Sequence, residues 1–124
     1  MIVLIDSDIL IEVTRNRDGA ILGRWTALSA SEHESWYSAV SEAEIWAGAF
    51  PREYAATESL FASLQCASVD AGVGRAAGAI LRRYQKSHGV RIADALIAAT
   101  AIRAGAVLWT RNRKHYPSED LTFF

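Results

Sequence analysis

Short apolar segments that are typical of β-strands recur along this chain, with stretches of helical periodicity between them. The strand-like segments cover residues 2–5, 36–40, 67–69 and 106–109. Residues 2–5 contain no polar position, which is typical of a strand that is buried on both faces. Strands that alternate with helices favour a parallel sheet with helices packed on both of its faces. The pattern therefore predicts a three-layer α/β/α fold.

The spacing of apolar and capping residues predicts the helices of this fold. They are expected over residues 8–14, 20–31, 41–50, 51–64, 70–86 and 92–104. Asp70 is expected to cap the longest helix, and Gly89 and Gly105 are expected to end the last two helices. Residues 121–124 are a candidate for a last edge strand. The sheet is therefore expected to be mainly parallel and to contain four to five strands.

The length and composition of the chain favour a single domain over residues 1–124. A chain of 124 residues is within the usual size of one domain, and a hydrophobic content of 51% is enough for a packed core. We expect no membrane-spanning segment, because no apolar run reaches the roughly 18 residues that a bilayer requires. We also expect no secretory signal, since Asp6 and Asp8 interrupt the first apolar run.

Charge and cysteine content limit the partners and the compartment that we expect. The net charge of −1 gives the whole molecule no strong attraction for nucleic acid or for an anionic membrane, so RNA binding would need a local basic patch. The single cysteine, Cys66, excludes an internal disulfide framework and is typical of a reducing environment. The sequence therefore predicts a cytoplasmic protein.

Acidic or amide side chains follow three of the predicted strands. Asp6 comes directly after the first strand, Glu42 and Glu44 come just after the second, and Asn112 follows the last. In an open parallel sheet, ligands bind in the crevice at the carboxyl ends of the strands. Carboxylates gathered there would repel one another unless a cation lay between them. The first hypothesis is therefore a divalent-metal site.

Each acidic residue also has a purely structural explanation. Asp6 and Asp8 could each cap the first helix, and Asp8 is equally suited to support a metal site. Glu44 stands at the third position of a capping box that would begin at Ser41. Asp94 lies in the first turn of a helix, where the helix dipole favours a negative charge. A paired or metal-bound carboxylate is still the preferred interpretation of Asp94, because its neighbours are almost all apolar.

Two further choices complete the candidate site. Glu42 and Glu44 point in different directions on a helix, and we choose Glu44 because apolar residues follow it, which leaves Glu42 solvated. Asn112 could bind a metal through its amide oxygen or through water, or could be an ordinary turn residue. Thr110 could hydrogen-bond a phosphate or a ligating carboxylate. His115 could transfer protons or contact RNA, although a surface position is the simpler interpretation.

Taken in order, these segments resemble the PIN domain, and specifically the VapC-like ribonuclease toxins of type II toxin–antitoxin pairs. The first motif of that family is an Asp after a strand, then a small hydroxyl residue, then Asp or Asn, to which IVLIDSDILIE is similar. The second motif is a hydroxyl residue followed by Glu and then by Gly four positions later. It resembles SAVSEAEIWAGA and selects Glu44 with Gly48. The third motif and the strand after it resemble VRIADALIAATAIRAGAVLWTRN and select Asp94.

The resemblance implies a PIN-like fold and metal-dependent endonucleolytic cleavage of RNA, in which an activated water attacks the phosphodiester. Asp6, Glu44 and Asp94 would bind Mg²⁺ or Mn²⁺, and Asn112 would complete the catalytic set. Many relatives carry an acidic residue at the position of Asn112 or of His115, so a second metal is less expected here. The resemblance also implies a cognate antitoxin protein, a homodimer and no membrane association.

Cations and exposed aromatic side chains beside this acidic site are the candidates for binding RNA and the antitoxin. The chosen phosphate contacts are Arg111, Arg113 and Lys114. The chosen supporting residues are Asp8, Thr110 and His115. Tyr116 or Trp46 could stack on RNA bases. The candidate groove residues for the antitoxin, which are equally suited to the core, are Ile9, Trp25, Trp46, Phe50 and Tyr54.

Two other function classes compete with a ribonuclease. Asp6-Ser7-Asp8 after a strand is also similar to the first motif of haloacid-dehalogenase phosphatases, but a suitable Lys and a later acidic pair at a strand end are missing. A catalytically weak PIN-like module that binds RNA or a partner protein is the closer alternative. The neutral Asn112 is the feature that supports it.

Overall fold

The computed structural model describes all 124 residues of the chain. The strands are β1 (Ile2–Ile5), β2 (Glu34–Ser38), β3 (Gln65–Ala67) and β4 (Val107–Trp109). The helices are α1 (Ser7–Arg15), α2 (Gly19–Ser29), α3 (Ala39–Gly48), α4 (Tyr54–Ala62), α5 (Ala71–His88) and α6 (Ile92–Ala104). Two 3₁₀ turns cover Pro51–Glu53 and Arg113–His115.

The four strands form one parallel sheet in the order β3-β2-β1-β4. β1 lies between β2 and β4, with Val3 opposite Ser35 on one side and Val107 on the other. Val3, Leu4 and Ile5 are fully buried, as the uninterrupted apolar run predicted. Because all four strands are parallel, the carboxyl ends of β1, β2 and β4 meet at one edge of the sheet, and the predicted crevice forms there.

Helices cover both faces of this sheet and bury alternate residues of β1. Val3 and Ile5 belong to a core cluster with Ile9 and other side chains from α1 to α4. Leu4 belongs to a second cluster on the opposite face, where Ile97 of α6 packs. Between α5 and α6 lies a third cluster of small and aromatic side chains. The predicted α/β/α architecture is confirmed.

Several local signals in the sequence have the predicted effect. The Asp70 side chain accepts a hydrogen bond from the Val73 amide at 2.9 Å and begins α5. Gly89 and Gly105 end α5 and α6 with φ angles of 64° and 65°, a left-handed conformation that glycine adopts without strain. Pro51 begins a 3₁₀ turn that leads into α4. No helix of the chain combines the length and the apolar content needed to cross a membrane.

The predicted start of α3 was wrong by two residues. Ser38 caps this helix, and its hydroxyl oxygen accepts the Val40 amide at 3.1 Å, whereas Ser41 lies inside the helix with no exposed surface. The capping box from Ser41 to Glu44 therefore does not exist. Ala39 and Val40 fit a strand or a buried helix equally well, so the sequence did not show where β2 ends and α3 begins.

The strand boundaries also differ from the prediction. β2 covers Glu34–Ser38 rather than residues 36–40, and β4 begins at Val107 rather than at Ala106. β3 covers Gln65–Ala67 rather than residues 67–69, and residues 68–70, which precede α5, have no regular secondary structure. The candidate edge strand over residues 121–124 is reduced to one parallel bridge between Leu108 and Phe123. The sheet therefore has four strands, the lower of the two predicted numbers.

The burial pattern predicts a large stability difference between two chemically identical substitutions. Ile9 has no exposed surface, whereas Ile92 is 63% exposed. We expect Ile9→Ala to lower the free energy of unfolding by about 3 kcal/mol, because it removes buried methyl groups and leaves a cavity. Ile92→Ala should change it by less than about 0.5 kcal/mol. Equal effects in urea denaturation would contradict the assignment of Ile9 to the core.

Candidate active site

A cleft of about 350 Å³ lies at the carboxyl-end edge of the sheet. Its lining brings together residues from the end of β1, α1, α3, the start of α6 and the loop after β4. These residues are Asp6, Ser7, Asp8, Ile11, Glu44, Arg91, Asp94, Asn112 and His115. All four candidate catalytic residues therefore face one cleft, although up to 106 positions separate Asp6 from Asn112 in the sequence.

Asp6 is the most constrained side chain of the cleft. It is only 7% exposed, and its backbone N–H donates to the Trp109 carbonyl at 2.9 Å, which ties the end of β1 to β4. Its Oδ1 accepts the Ser7 amide at 2.7 Å and makes Asp6 the N-cap of α1. Its Oδ2 accepts the hydroxyls of Thr110 at 2.8 Å and Tyr116 at 2.9 Å. Asp6 therefore has both predicted roles: it caps α1, and it is a buried carboxylate of the cleft.

Burial dominates the ionisation of Asp6. Loss of water raises the pKa of Asp6 above its usual value of 3.8, the hydrogen bonds from Thr110, Tyr116 and Ser7 lower it, and the negative charge of Asp94 raises it further. The net shift is upward. The ionised carboxylate is therefore less favourable here than in water, as expected of a site that lacks a positive charge beside it.

Asp8 is held by the loop after β4. Its Oδ2 accepts the backbone N–H of Arg111 at 3.0 Å and the Nδ2 of Asn112 at 3.1 Å, and its Oδ1 is buried without a hydrogen-bond partner. Burial raises the pKa of Asp8, and the charge of Asp6 raises it further. Asp8 is not the N-cap of α1, since Asp6 has that role.

Glu44 reaches the cleft from α3 and is positioned by a chain of hydroxyl groups. The Ser7 hydroxyl lies 2.8 Å from Glu44 Oε1 and 2.9 Å from the Ser41 hydroxyl. Ser7 can donate its one hydrogen to Glu44 and accept from Ser41. Glu42 lies outside the cleft and accepts the Tyr37 hydroxyl at 2.8 Å. The expectation that Glu42 is free in solvent was wrong, because a buried tyrosine needed an acceptor.

Asp94 enters the cleft from the first turn of α6. The side chain is 14% exposed, and its one ion-pair partner is Arg91, whose Nε lies 4.0 Å away. Arg91 is 77% exposed, so this pair contributes little to stability. Asp94 therefore has one weak ion pair, in addition to its favourable position in the first turn of α6.

The basic loop after β4 divides its cations between two environments. The Arg111 guanidinium lies near three carboxylates, 3.5 Å from Glu12, 3.9 Å from Asp18 and 4.0 Å from Asp8. Arg113 is exposed and covers the Phe123 ring at 4.9 Å. Lys114 is exposed, with no ion pair. Arg113 and Lys114 are thus available to a ligand, whereas Arg111 already has acidic partners.

Two residues of the last loop act on the acidic side chains. Thr110 donates to Asp6, one of the two interactions expected of it, and also accepts the Asn112 backbone N–H at 3.0 Å. Asn112 uses its amide nitrogen to hold Asp8. His115 lines the cleft and is partly buried.

The sequence did not indicate that Tyr116 is buried beside Asp6. The sequence offered Tyr116 as one of two candidates for stacking on RNA bases, but the residue is 3% exposed and its hydroxyl donates to Asp6. Burial and the neighbouring carboxylates raise the pKa of Tyr116 well above its usual value of 10.0, so the hydroxyl stays protonated. The sequence carried little information about this contact. Only the general rule that a buried tyrosine hydroxyl usually has a hydrogen-bond partner could have indicated it.

The donor set fits a hard divalent cation, but the site is not a closed metal cage. The cleft residues offer carboxylate and amide oxygens, which Mg²⁺ and Mn²⁺ prefer, and the buried Oδ1 of Asp8 has no partner. No group of three or more His, Cys, Asp or Glu side chains stands ready to hold one ion in this structure. Ligation by three carboxylates would therefore require some of these side chains to move closer together.

The raised pKa of Asp8 predicts a change in stability. When a carboxyl group has a higher pKa in the folded than in the unfolded state, the folded protein becomes less stable as the pH rises above the usual pKa of that group. For Asp8 that usual pKa is 3.8, and the loss of stability persists at pH 7. In EDTA at pH 7, we expect Asp8→Asn to have a higher melting temperature than the wild type, and the difference should shrink as the pH falls toward 3.8.

The control for this melting experiment is Asp120→Asn, at an exposed position away from the cleft. It should leave the melting temperature nearly unchanged. An Asp8→Asn variant that melts below the wild type at pH 7 would show that the contacts of Asp8 with Arg111 and Asn112 outweigh its burial.

Comparison with known proteins places this arrangement in a family. The sequence matches the PIN domain over residues 3–117. It is 35% identical to Ribonuclease VapC19 of Mycobacterium tuberculosis over 115 residues, which cover 92% of this chain and 91% of that protein. It is 34% identical to Ribonuclease VapC10 of the same organism over 117 residues, which cover 93% and 86% of the two chains.

Solved structures agree in fold. The VapBC2 complex of Rickettsia felis bound to a DNA fragment from its promoter matches with a TM-score of 0.84 at 20% identity, covering 100% of this chain and 98% of the other. The VapBC-1 structure of nontypeable Haemophilus influenzae matches with a TM-score of 0.81 at 24% identity, covering 100% and 97%. Because the sequence match spans nearly the whole chain and the relatives exceed 30% identity, the protein belongs to the PIN-domain family.

Proposed function

We propose that this protein is a metal-dependent endoribonuclease and the toxin of a toxin–antitoxin pair. The observation that carries the proposal is the cleft in which Asp6, Glu44 and Asp94 meet, in a chain of the PIN-domain family. Relatives of 34% and 35% identity that carry the name ribonuclease support it. Burial and the neighbouring carboxylate charges raise the pKa of Asp6 and of Asp8, which also lines this cleft. Such perturbed carboxylates in a cleft are typical of binding or catalytic sites.

Asp6, Glu44 and Asp94 are the proposed ligands of Mg²⁺ or Mn²⁺. Bound there, a divalent cation would offset the charge on the phosphate and lower the pKa of water so that it can attack the phosphodiester. Ser7 orients Glu44, and Thr110 orients Asp6. Asn112 contributes indirectly by holding Asp8, and His115 is the candidate for proton transfer to the leaving group.

RNA would approach through the exposed cations at the rim of the cleft. The whole chain is slightly negative, so attraction for phosphate must be local. Arg91 lines the cleft with a side chain that is 77% exposed, and Arg113 and Lys114 are exposed on the adjacent loop. We propose these three as phosphate contacts. Arg111 is a weaker candidate than the sequence suggested, because its partners are acidic side chains of the same chain.

An antitoxin protein is the proposed partner. The structural relatives include VapBC toxin–antitoxin complexes, which supports such a partner for this chain. Of the expected groove residues, Ile9 is part of the core and is removed from the set. Phe50 and Tyr54 are 51% and 46% exposed, and the Tyr54 ring contacts Trp46 at 5.6 Å between centroids. These three aromatic residues are the proposed docking patch, and a homodimer remains a proposal from the family resemblance.

A catalytically weak module that binds RNA without cutting it is the alternative. The observation that favours it is the neutral Asn112, at a position where the family resemblance leads us to expect an acidic residue. The phosphatase alternative has lost its support, because the chain belongs to the PIN-domain family.

Cleavage of RNA tests the proposed activity. We expect the wild type to cut RNA with Mg²⁺ or Mn²⁺ and to stop in EDTA, and Asp94→Asn to lower the rate at least about 100-fold, because it removes a ligand charge without changing the size of the side chain. The control, Asp120→Asn, should cut at the wild-type rate. Cleavage that survives both EDTA and Asp94→Asn would reject the metal mechanism, and RNA binding without cleavage would favour the binding module.

The salt dependence of RNA binding tests the assignment of the cations. In EDTA, where cleavage is blocked, we expect Arg113→Gln to reduce the slope of log Kd against log salt by about 0.7 to 1, the contribution of one phosphate contact. Arg111→Gln should leave the slope unchanged, because its guanidinium pairs with Glu12, Asp18 and Asp8. The reverse result would return Arg111 to the RNA interface.

A further inference from the structure

The hydrogen bonds of Asp6 leave one acceptor position free. A carboxylate offers about two acceptor positions on each oxygen. Both positions of Oδ2 are filled, by the hydroxyls of Thr110 at 2.8 Å and Tyr116 at 2.9 Å. On Oδ1, the Ser7 amide at 2.7 Å fills one. The remaining position on Oδ1 is therefore the one through which Asp6 can bind anything further.

We propose that Tyr116 is a positioning residue that acts together with Thr110, holding Oδ2 of Asp6 so that Asp6 offers a cation the single oxygen Oδ1. This inference rests on the proposed metal-dependent function and specifies how one ligand is presented. Asp6 would then bind through one oxygen. Rotation of its carboxylate to a two-oxygen mode would break both hydroxyl contacts.

The surroundings of Tyr116 suit it to this task. Its ring is 3% exposed and packs in the core cluster that contains Leu4, Ile97 and Leu108. The backbone N–H of Tyr116 donates to the Arg113 carbonyl at 2.9 Å, which closes the 3₁₀ turn before it. A ring fixed by the core and a backbone fixed by the turn leave the hydroxyl little freedom. The donor is therefore held in place before a cation arrives, which is the condition for positioning.

Thr110 and Tyr116 hold Asp6 from opposite ends of one loop. Thr110 follows β4, and Tyr116 follows the 3₁₀ turn Arg113–His115. Asn112 and His115, which line the cleft, lie between them. The two hydroxyl hydrogen bonds thus connect this loop to Asp6 at the end of β1. They fix the position of the loop as well as that of the carboxylate.

A purely structural role is the competing explanation, in which the Tyr116 hydroxyl merely satisfies a buried polar group. The chain contains a matched case of that role. Tyr37 is 6% exposed, and its hydroxyl donates to Glu42 at 2.8 Å, outside the cleft. Tyr37→Phe therefore removes a partly buried tyrosine–carboxylate hydrogen bond without touching the proposed ligands. The two tyrosine-to-phenylalanine variants separate positioning from stability.

The experiment measures Mn²⁺ affinity by calorimetry without RNA, and kcat and KM for RNA cleavage, on the full chain. We expect Tyr116→Phe to bind Mn²⁺ about tenfold more weakly and to lose a similar factor in kcat, with KM for RNA changed less than about twofold. Tyr37→Phe should change none of these values. Thr110→Val should weaken Mn²⁺ binding as Tyr116→Phe does, and Thr110→Ser should recover most of the loss, because it restores the hydroxyl.

The outcomes distinguish this inference from the function on which it rests. A wild type that binds Mn²⁺ and cuts RNA, with Tyr116→Phe equal to it in affinity and kcat, overturns the positioning role alone. Equal losses in Tyr116→Phe and Tyr37→Phe also overturn it, because they point to general destabilisation. A wild type that neither binds Mn²⁺ nor cuts RNA overturns the proposed function and this inference together. If Tyr116→Phe folds poorly, the Thr110→Val and Thr110→Ser pair tests whether a hydroxyl that donates to Oδ2 positions Asp6. Thr110→Val with the wild-type Mn²⁺ affinity and kcat would then overturn the inference.

Discussion

A carboxylate buried at the end of the central strand is the constraint on which the rest of the site depends. Asp6 is 7% exposed, and removing its charge from water is unfavourable unless polar groups surround it. The protein supplies three hydrogen-bond donors to it, from Ser7, Thr110 and Tyr116. The loop after β4 is consequently held against β1, and Asp6 also begins α1. One side chain thus joins a strand, a helix and a distant loop.

The remaining charges of the cleft are arranged around Asp6 without being neutralised. The charge of Asp94 raises the pKa of Asp6, and the charge of Asp6 raises that of Asp8. The nearest cations, Arg91 and Arg111, lie 4.0 Å from Asp94 and from Asp8. Burial and repulsion together raise the pKa of Asp6 and of Asp8. A cation bound in the cleft would relieve both effects, which is why the metal hypothesis and the stability of the chain are linked through the same residues.

Much of the fold and the choice of acidic residues could be predicted from local patterns. The apolar run before Asp6, the cap at Asp70 and the glycines at 89 and 105 each act within a few residues of where they stand, so the sequence displays their effect directly. The apolar residues after Glu44 also allowed Glu44 to be chosen over Glu42 as the residue that lines the cleft. The start of α3 could not be predicted, because Ser38 and Ser41 can both cap a helix and only packing decides between them.

The sequence by itself determined the order of strands and helices, the buried central strand and the acidic residues that follow it, since these depend on hydrophobic periodicity and on short-range hydrogen bonds. Only the tertiary structure decided that Tyr116 serves Asp6, that Ser7 orients Glu44 and that Arg111 faces acidic partners. These contacts join residues 37 to 110 positions apart. Their partners are chosen by how the helices and loops pack on the sheet, which no local pattern encodes.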